Sequence, residues 1–152
     1  MKQGDFTEMA KHYHNRPAYS PFLLKKLLAC VNDSAIDKEN FSVVDVGAGT
    51  GKLTTVLVND LGLKLTAVEP NAAMREEGIK TTQNLPIQWL DGSGENIPLP
   101  DGVANWVLMA SSFHWTNPQQ SLPEIARVLK NEGGGLSHRS LQPARFKRRV
   151  GF

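Results

Sequence analysis

Asp45-Val46-Gly47-Ala48-Gly49-Thr50-Gly51-Lys52 is the stretch on which the reading of this chain turns. Before it stands Phe41-Ser42-Val43-Val44, short, β-branched and apolar, the composition of a strand buried on both faces. After it, Leu53, Val56, Leu57 and Leu61 recur at offsets of 3, 4 and 8, an amphipathic helix that ends near Gly62. A glycine loop between strand and helix lets backbone approach a ligand and points helix N–H groups at it. Spacing excludes two common ligands. A dinucleotide fingerprint, Gly-x-Gly-x-x-Gly from Gly47, needs a glycine where Lys52 stands. A nucleotide P-loop needs a glycine at Val46 and a hydroxyl at Leu53. What remains is Asp-x-Gly-x-Gly-x-Gly, or else a tight turn that holds nothing.

Outward from the loop the strand–helix cycle repeats. Residues 64–69 have strand composition, and Asn71 can cap a helix running to about Lys80. Ile87-Gln88-Trp89-Leu90 reads as a third strand, 91–102 as a Gly- and Pro-rich loop, and 103–110 as a fourth strand. Asn117-Pro118 opens a helix with Leu122, Ile125, Ala126 and Leu129 on one face, and Gly133-Gly134-Gly135 closes it. Alternation of this kind implies a parallel sheet with right-handed crossovers. Upstream, Pro17 and Pro21 break a helical stretch whose apolar positions include Leu24, Leu27, Leu28 and Val31. The chain divides into a helical cap, 1–40, an α/β core, 41–135, and a tail, 136–152, that shows no strand pattern and is expected to be irregular.

At 152 residues the chain is long enough for one domain with a real core. Five of the seventeen basic residues (Arg139, Arg145, Lys147, Arg148, Arg149) lie from Leu136 onward, where there is no acid. The other twelve face fifteen acids, so residues 1–135 carry a net −3. The basic balance belongs to the tail, and nucleic acid is not an expected partner. A lone cysteine, Cys30, is expected as a small buried side chain. His12 and His14 lack metal-ligand partners at a convincing spacing, so no metal is expected. No apolar run nears the ~20 residues of a membrane span, and a cytoplasmic location is expected.

The loop resembles motif I of class I S-adenosylmethionine (SAM) methyltransferases, and residues 6–135 are similar to the type 11 branch of that superfamily. The resemblance implies SAM as cofactor. Gly47, Ala48, Gly49 and Gly51 would lie along its methionine tail and ribose, Asp45 would attract the ammonium group, and Glu69, 18 residues past Gly51, would take the ribose hydroxyls. Pro70 and Met74 match the stretch that packs on adenine, although Met74 equally suits a core. Gly92-Ser93-Gly94-Glu95 resembles the adenine loop, with Ser93 where the family has aspartate. Residues 107–115 resemble motif IV and the segment after it, with Ser111 toward the cofactor. His114 and Trp115 would face the acceptor. His114 is the one candidate general base, against the alternative that it only packs a loop. Tyr13, Arg16 and Tyr19 are similar to a lid element touching cofactor or substrate, or else form a surface turn with buried rings. Residues 124–130 resemble the helix before the family's fifth strand.

The implied fold is a Rossmann-like three-layer α/β/α sandwich with a mostly parallel sheet. The family strand order is 3-2-1-4-5-7-6. This chain is expected to stop after strand 4, leaving that strand's edge open to self-association. The implied function is SAM-dependent methyl transfer to a small-molecule acceptor; the alternative is a truncated SAM-binding remnant without catalysis. Codons allowed for residues 136–150 also admit, one base along, a strand-like apolar string, so a frame change near Gly135 is a further expectation that the gene sequence tests.

Overall fold

The computed structural model describes residues 19–31, 37–110 and 112–131, together with the backbone of 135–139 and 143–147. The elements run α1 (Pro21–Val31), β1 (Ser42–Val46), α2 (Lys52–Leu61), β2 (Lys64–Val68), α3 (Ala72–Thr81), β3 (Ile87–Leu90), β4 (Trp106–Ala110), a single 3-10 turn (Phe113–Trp115), α4 (Pro118–Val128), β5 (Gly135–Arg139) and β6 (Pro143–Lys147). They build one sheet of order β3-β2-β1-β4-β5-β6. Every pairing from β3 to β5 is parallel, and β6 runs antiparallel to β5. The Rossmann-like fold that the resemblance implies is the fold observed.

Alternation along the central strands divides the core in two. Val43 of β1 with Trp106 and Leu108 of β4 point to one face, where Leu24 and Leu28 of α1 and Leu53, Leu57 and Leu61 of α2 cover them. Val44 and Val46 with Val107 and Met109 point to the other, under Ile125 and Val128 of α4. Helix starts obey local chemistry. Pro21 opens α1, where its missing N–H costs nothing, and Ser20 accepts from Leu23 N. Asn71 and Asn117 cap α3 and α4 by accepting from Met74 N and Gln119 N.

Several expectations need correction. The tail is not irregular over its whole length, and the sheet does not end at the fourth strand. Gly135–Arg139 pairs with Trp106–Ala110 residue for residue, and Pro143–Lys147 folds back on it. The edge of β4 presents a row of unpaired N–H and C=O groups, and backbone pairing satisfies them whatever side chains the next segment carries. Pro143 sits at the first position of the outermost strand, where proline is tolerated. The β4 edge on which self-association was expected is therefore covered. Among the described residues the sheet remains one strand short of the seven-stranded family order. Cys30 lies on the exposed side of α1 rather than in the core. The fourth strand begins at Trp106, not 103, with Ala104 making an isolated bridge to Leu129.

One packing detail reverses a propensity rule. Gly78, inside α3, faces the indole of Trp89 on β3, so a Cβ there would overlap the ring. The indole is pinned by Trp89 Nε1 donating to Thr82 Oγ1 at 2.9 Å, and Thr82 donates in turn to Gly78 O at 2.7 Å. Helix propensity alone would favour alanine at Gly78 by about 1 kcal/mol. Overpacking against the ring is predicted to win, so Gly78→Ala should lower stability by about 1–3 kcal/mol in urea unfolding. In a Trp89→Leu background the same change should raise the midpoint. A stabilised Gly78→Ala single variant would contradict this packing.

Candidate functional site

The carboxyl ends of β1, β2 and β4 frame a cavity of about 300 Å3, the position and size range at which parallel α/β sheets bind ligands. Parallel register sets β1 and β2 side by side with Val46 opposite Val68. The glycine loop leaves β1 and is tied at once to β2: Gly47 N and Ala48 N donate to Val68 O at 2.8 and 3.2 Å. Gly47 has φ +73°, and a Cβ on it would overlap Ser112, which reaches across from the end of β4 and donates to Val46 O at 2.7 Å. Gly51, at φ +84°, caps α2 from the left-handed region that glycine enters without strain.

Glu69 joins two loops. Its Oε2 accepts from Gly49 N at 2.8 Å and its Oε1 from Asn71 N at 2.9 Å. Each carboxylate oxygen has a second lone pair free for a ligand donor. Burial raises the Glu69 pKa, opposed by those two N–H bonds and by the Arg75 charge. Arg75 donates to the Glu69 carbonyl and pairs with Asp91 at 3.2 Å. Asp45 is more deeply placed, 1% exposed, with Thr54 Oγ1 donating to Oδ2 at 2.8 Å. Burial, with a smaller contribution from the Glu69 charge, pushes its pKa up to about 7 against the pull of the Thr54 bond. Two carboxyls thus share a dry corner. No cationic side chain is among the described residues lining the cavity.

Of the residues expected from sequence, Gly47, Gly49, Glu69, Pro70, Met74, Ser93, Gly94, Glu95 and Trp115 line the cavity. Asp45, Ala48, Gly51 and Gly92 are not among the lining residues. Gly92 and Gly94 are places where the loop passes close to other atoms: a Cβ on Gly92 would come 2.5 Å from Pro98 Cδ, and one on Gly94 would come 2.8 Å from Thr116 Cγ2. His114 is exposed, outside the lining, with its ring against Trp115 at 4.8 Å between centroids. Tyr19 packs against the α1–α2 core cluster instead of the cavity. Tyr13, Arg16 and Ser111 lie outside the described residues. The lining also holds Ser112, Thr116, Met109 and Asn71. Of these, Asn71 was read only as a helix cap. Ser112 lies within the 107–115 stretch that resembles motif IV and its sequel but has no site role there, and Thr116 follows that stretch directly.

A mostly parallel sheet of this order, with a glycine loop after β1 and a buried acid after β2, defines a Rossmann-like α/β protein. The chain belongs to the methyltransferase domain family of SAM-dependent methyltransferases, whose family model matches residues 44–136. It is 38% identical over 118 residues to an uncharacterized methyltransferase of Mycobacterium tuberculosis, covering 78% of this chain and 44% of the relative. It is 32% identical over 127 residues to an uncharacterized methyltransferase of Schizosaccharomyces pombe, covering 84% and 48%. The chain thus spans less than half the length of these relatives. Among solved structures it resembles a SAM-dependent methyltransferase of Aquifex aeolicus, with TM-score 0.70, 25% identity, and coverage of 87% of this chain and 71% of that one. No helix among the described residues is long and apolar enough to cross a membrane.

The Asp45 environment has a measurable consequence. An acid whose folded pKa is raised from 3.8 to about 7 binds its proton more tightly in the folded state. Its contribution to stability is complete below about pH 4 and is lost as pH rises through about 7. Asp45→Asn keeps an acceptor for Thr54 and removes the titration. Its melting temperature is predicted to gain on the parent's as pH rises from about 4 to about 7, and to stay above it at pH 8. Parallel melting curves from pH 5 to 8.5 would remove the basis for a raised Asp45.

Proposed function

We propose that this chain binds SAM in the cavity at the ends of β1, β2 and β4, and that the protein transfers the SAM methyl group to a small-molecule acceptor. The observation that carries this reading is the pair Asp45 and Glu69, two buried carboxyls beside a ligand-sized cavity with no cation among the described residues of its lining. Phosphate ligands are disfavoured in such a field, and a ligand bearing positive charge is favoured. The residues present fit SAM. Glu69 can accept from a ribose diol, Asp45 can give up its proton and turn negative as the ammonium group approaches, and the buried Met74 offers an apolar surface for adenine. Ser93 and Glu95 also line the cavity.

Bound SAM would supply an activated methyl sulfonium. The chain's own task is then to hold the two reactants in line and keep water out, which can account for much of the rate. Trp115, 44% exposed and part of the lining, makes an aromatic wall suited to an acceptor of modest size. His114 sits next to it as the candidate base, although its exposure leaves positioning as the larger contribution. Cytoplasmic location is part of the same proposal.

Calorimetric titration of SAM tests the reading. Saturable binding is expected, weakened by about ten- to a hundredfold in Glu69→Ala that retains its circular dichroism spectrum. No binding by the folded parent chain would refute it. Transfer of labelled methyl groups to a metabolite extract then separates a working transferase from the alternative, a chain that binds SAM and transfers nothing.

A further inference from the structure

Residues 91–102 carry Ser93, Gly94 and Glu95 to the cavity but have little internal pairing: a two-bond turn between Ser93 and Asn96 and one bond from Leu99 N to Ile97 O. Their shape is imposed from α4. Arg127 directs its five N–H groups at this loop and at Glu124. Nε donates to Glu124 Oε2 at 3.0 Å; Nη1 donates to Leu99 O and Asp101 Oδ1, both at 2.8 Å; Nη2 donates to Ile97 O at 2.9 Å and Glu124 Oε1 at 2.6 Å. A guanidinium has five donors, so none is left over. Glu124 Oε1 also accepts from Ile97 N at 3.0 Å, so the Ile97 peptide is held at both its N–H and its C=O. Beyond the side chain, Gly102 N donates to Arg127 O at 2.9 Å, closing the loop's far end. Its near end is fixed where Glu95 Oε1 accepts from Asn117 N at 2.7 Å, at the first turn of α4.

We propose that Arg127, locked to Glu124, is a positioning residue: it holds the 93–101 loop in the shape that presents Ser93 and Glu95 to the cofactor cavity. The inference rests on the SAM-binding reading. Helix α4 does not need the pair to stay on the sheet, because Ile125 and Val128 are fully buried beneath it. Arg127 donates to loop carbonyls, Glu124 accepts from a loop N–H, and neither side chain lines the cavity. Charge is kept on both partners. The Arg127 hydrogen bond holds the Glu124 carboxyl below its usual range, and Glu124 and Asp101 hold the guanidinium proton more firmly than usual. Lysine cannot replace this arrangement, since one ammonium with three donors cannot reach two carbonyls and two carboxylates at once.

The test uses the full chain and two readouts: SAM affinity by calorimetry and amide hydrogen exchange resolved by segment. Arg127→Met is expected to weaken SAM binding by about ten- to a hundredfold. It should speed exchange within 92–102 while leaving β1 and β2 as in the parent, and Arg127→Lys should recover only part of either change. Unchanged affinity in a folded Arg127→Met overturns the proposal while SAM binding stands. Exchange that rises evenly across the sheet overturns it as well, since that is mere loss of stability. If Arg127→Met does not fold, Glu124→Gln should shift both readouts in the same directions, and parent-like behaviour overturns the idea. A parent chain that binds no SAM overturns the reading beneath the proposal and the proposal with it.

Discussion

Parallel pairing of β1 with β2 forces two acids into one corner. Asp45 sits one residue before the end of β1 and Glu69 one residue past the end of β2, and in this register both are carried to the same margin of the sheet. Neither carboxyl is met by a cation among the described residues of the cavity lining. Most of the surrounding structure compensates for that burial. Two loop N–H groups close on Glu69, Thr54 donates to Asp45, and Arg75 stands behind the Glu69 peptide. The glycine loop adopts left-handed conformations because its amides must turn inward while Ser112 presses on Gly47 from β4. A site so arranged is under electrostatic tension that a cationic ligand relieves.

A second constraint comes from α4. That helix carries one core face, caps itself with Asn117, and braces the 91–102 loop at its beginning and in its last turn. The cavity therefore has a wall fixed by backbone pairing, on the β1–β2 side, and a wall fixed by side chains, on the α4 side. The second is the more easily altered by substitution, because it depends on a handful of charge-assisted bonds.

Sequence made the first wall legible and the second only in outline. The glycine loop, the acid after β2 and the 3.6-residue period of α2 and α4 are local signals, and each stands where spacing puts it. Met74 and Trp115 were identified by resemblance, and both line the cavity. Asp45 could be located but not its depth, because burial depends on strands 20 and 60 residues away. Arg127 sat in a recognised stretch with no assigned task, since its partners Ile97 and Leu99 are 28–30 residues upstream and are contacted through backbone carbonyls that carry no side-chain signature. The strands at 135–139 and 143–147 escaped notice for a related reason. Their pairing is a property of the β4 edge, and a basic stretch without alternation gives no hint of it. Ser112 was missed as a site residue because what places it is contact with Gly47, a packing fact.

The central claim is that Asp45 holds a proton near neutrality until a positive ligand arrives. Calorimetry of SAM binding near pH 6.5, repeated in buffers of different ionisation enthalpy, counts the protons exchanged. A cation beside Asp45 lowers its pKa from about 7, so binding should release a substantial fraction of one proton and tighten as pH rises toward 8. Binding with no proton release, or with uptake, would contradict the account.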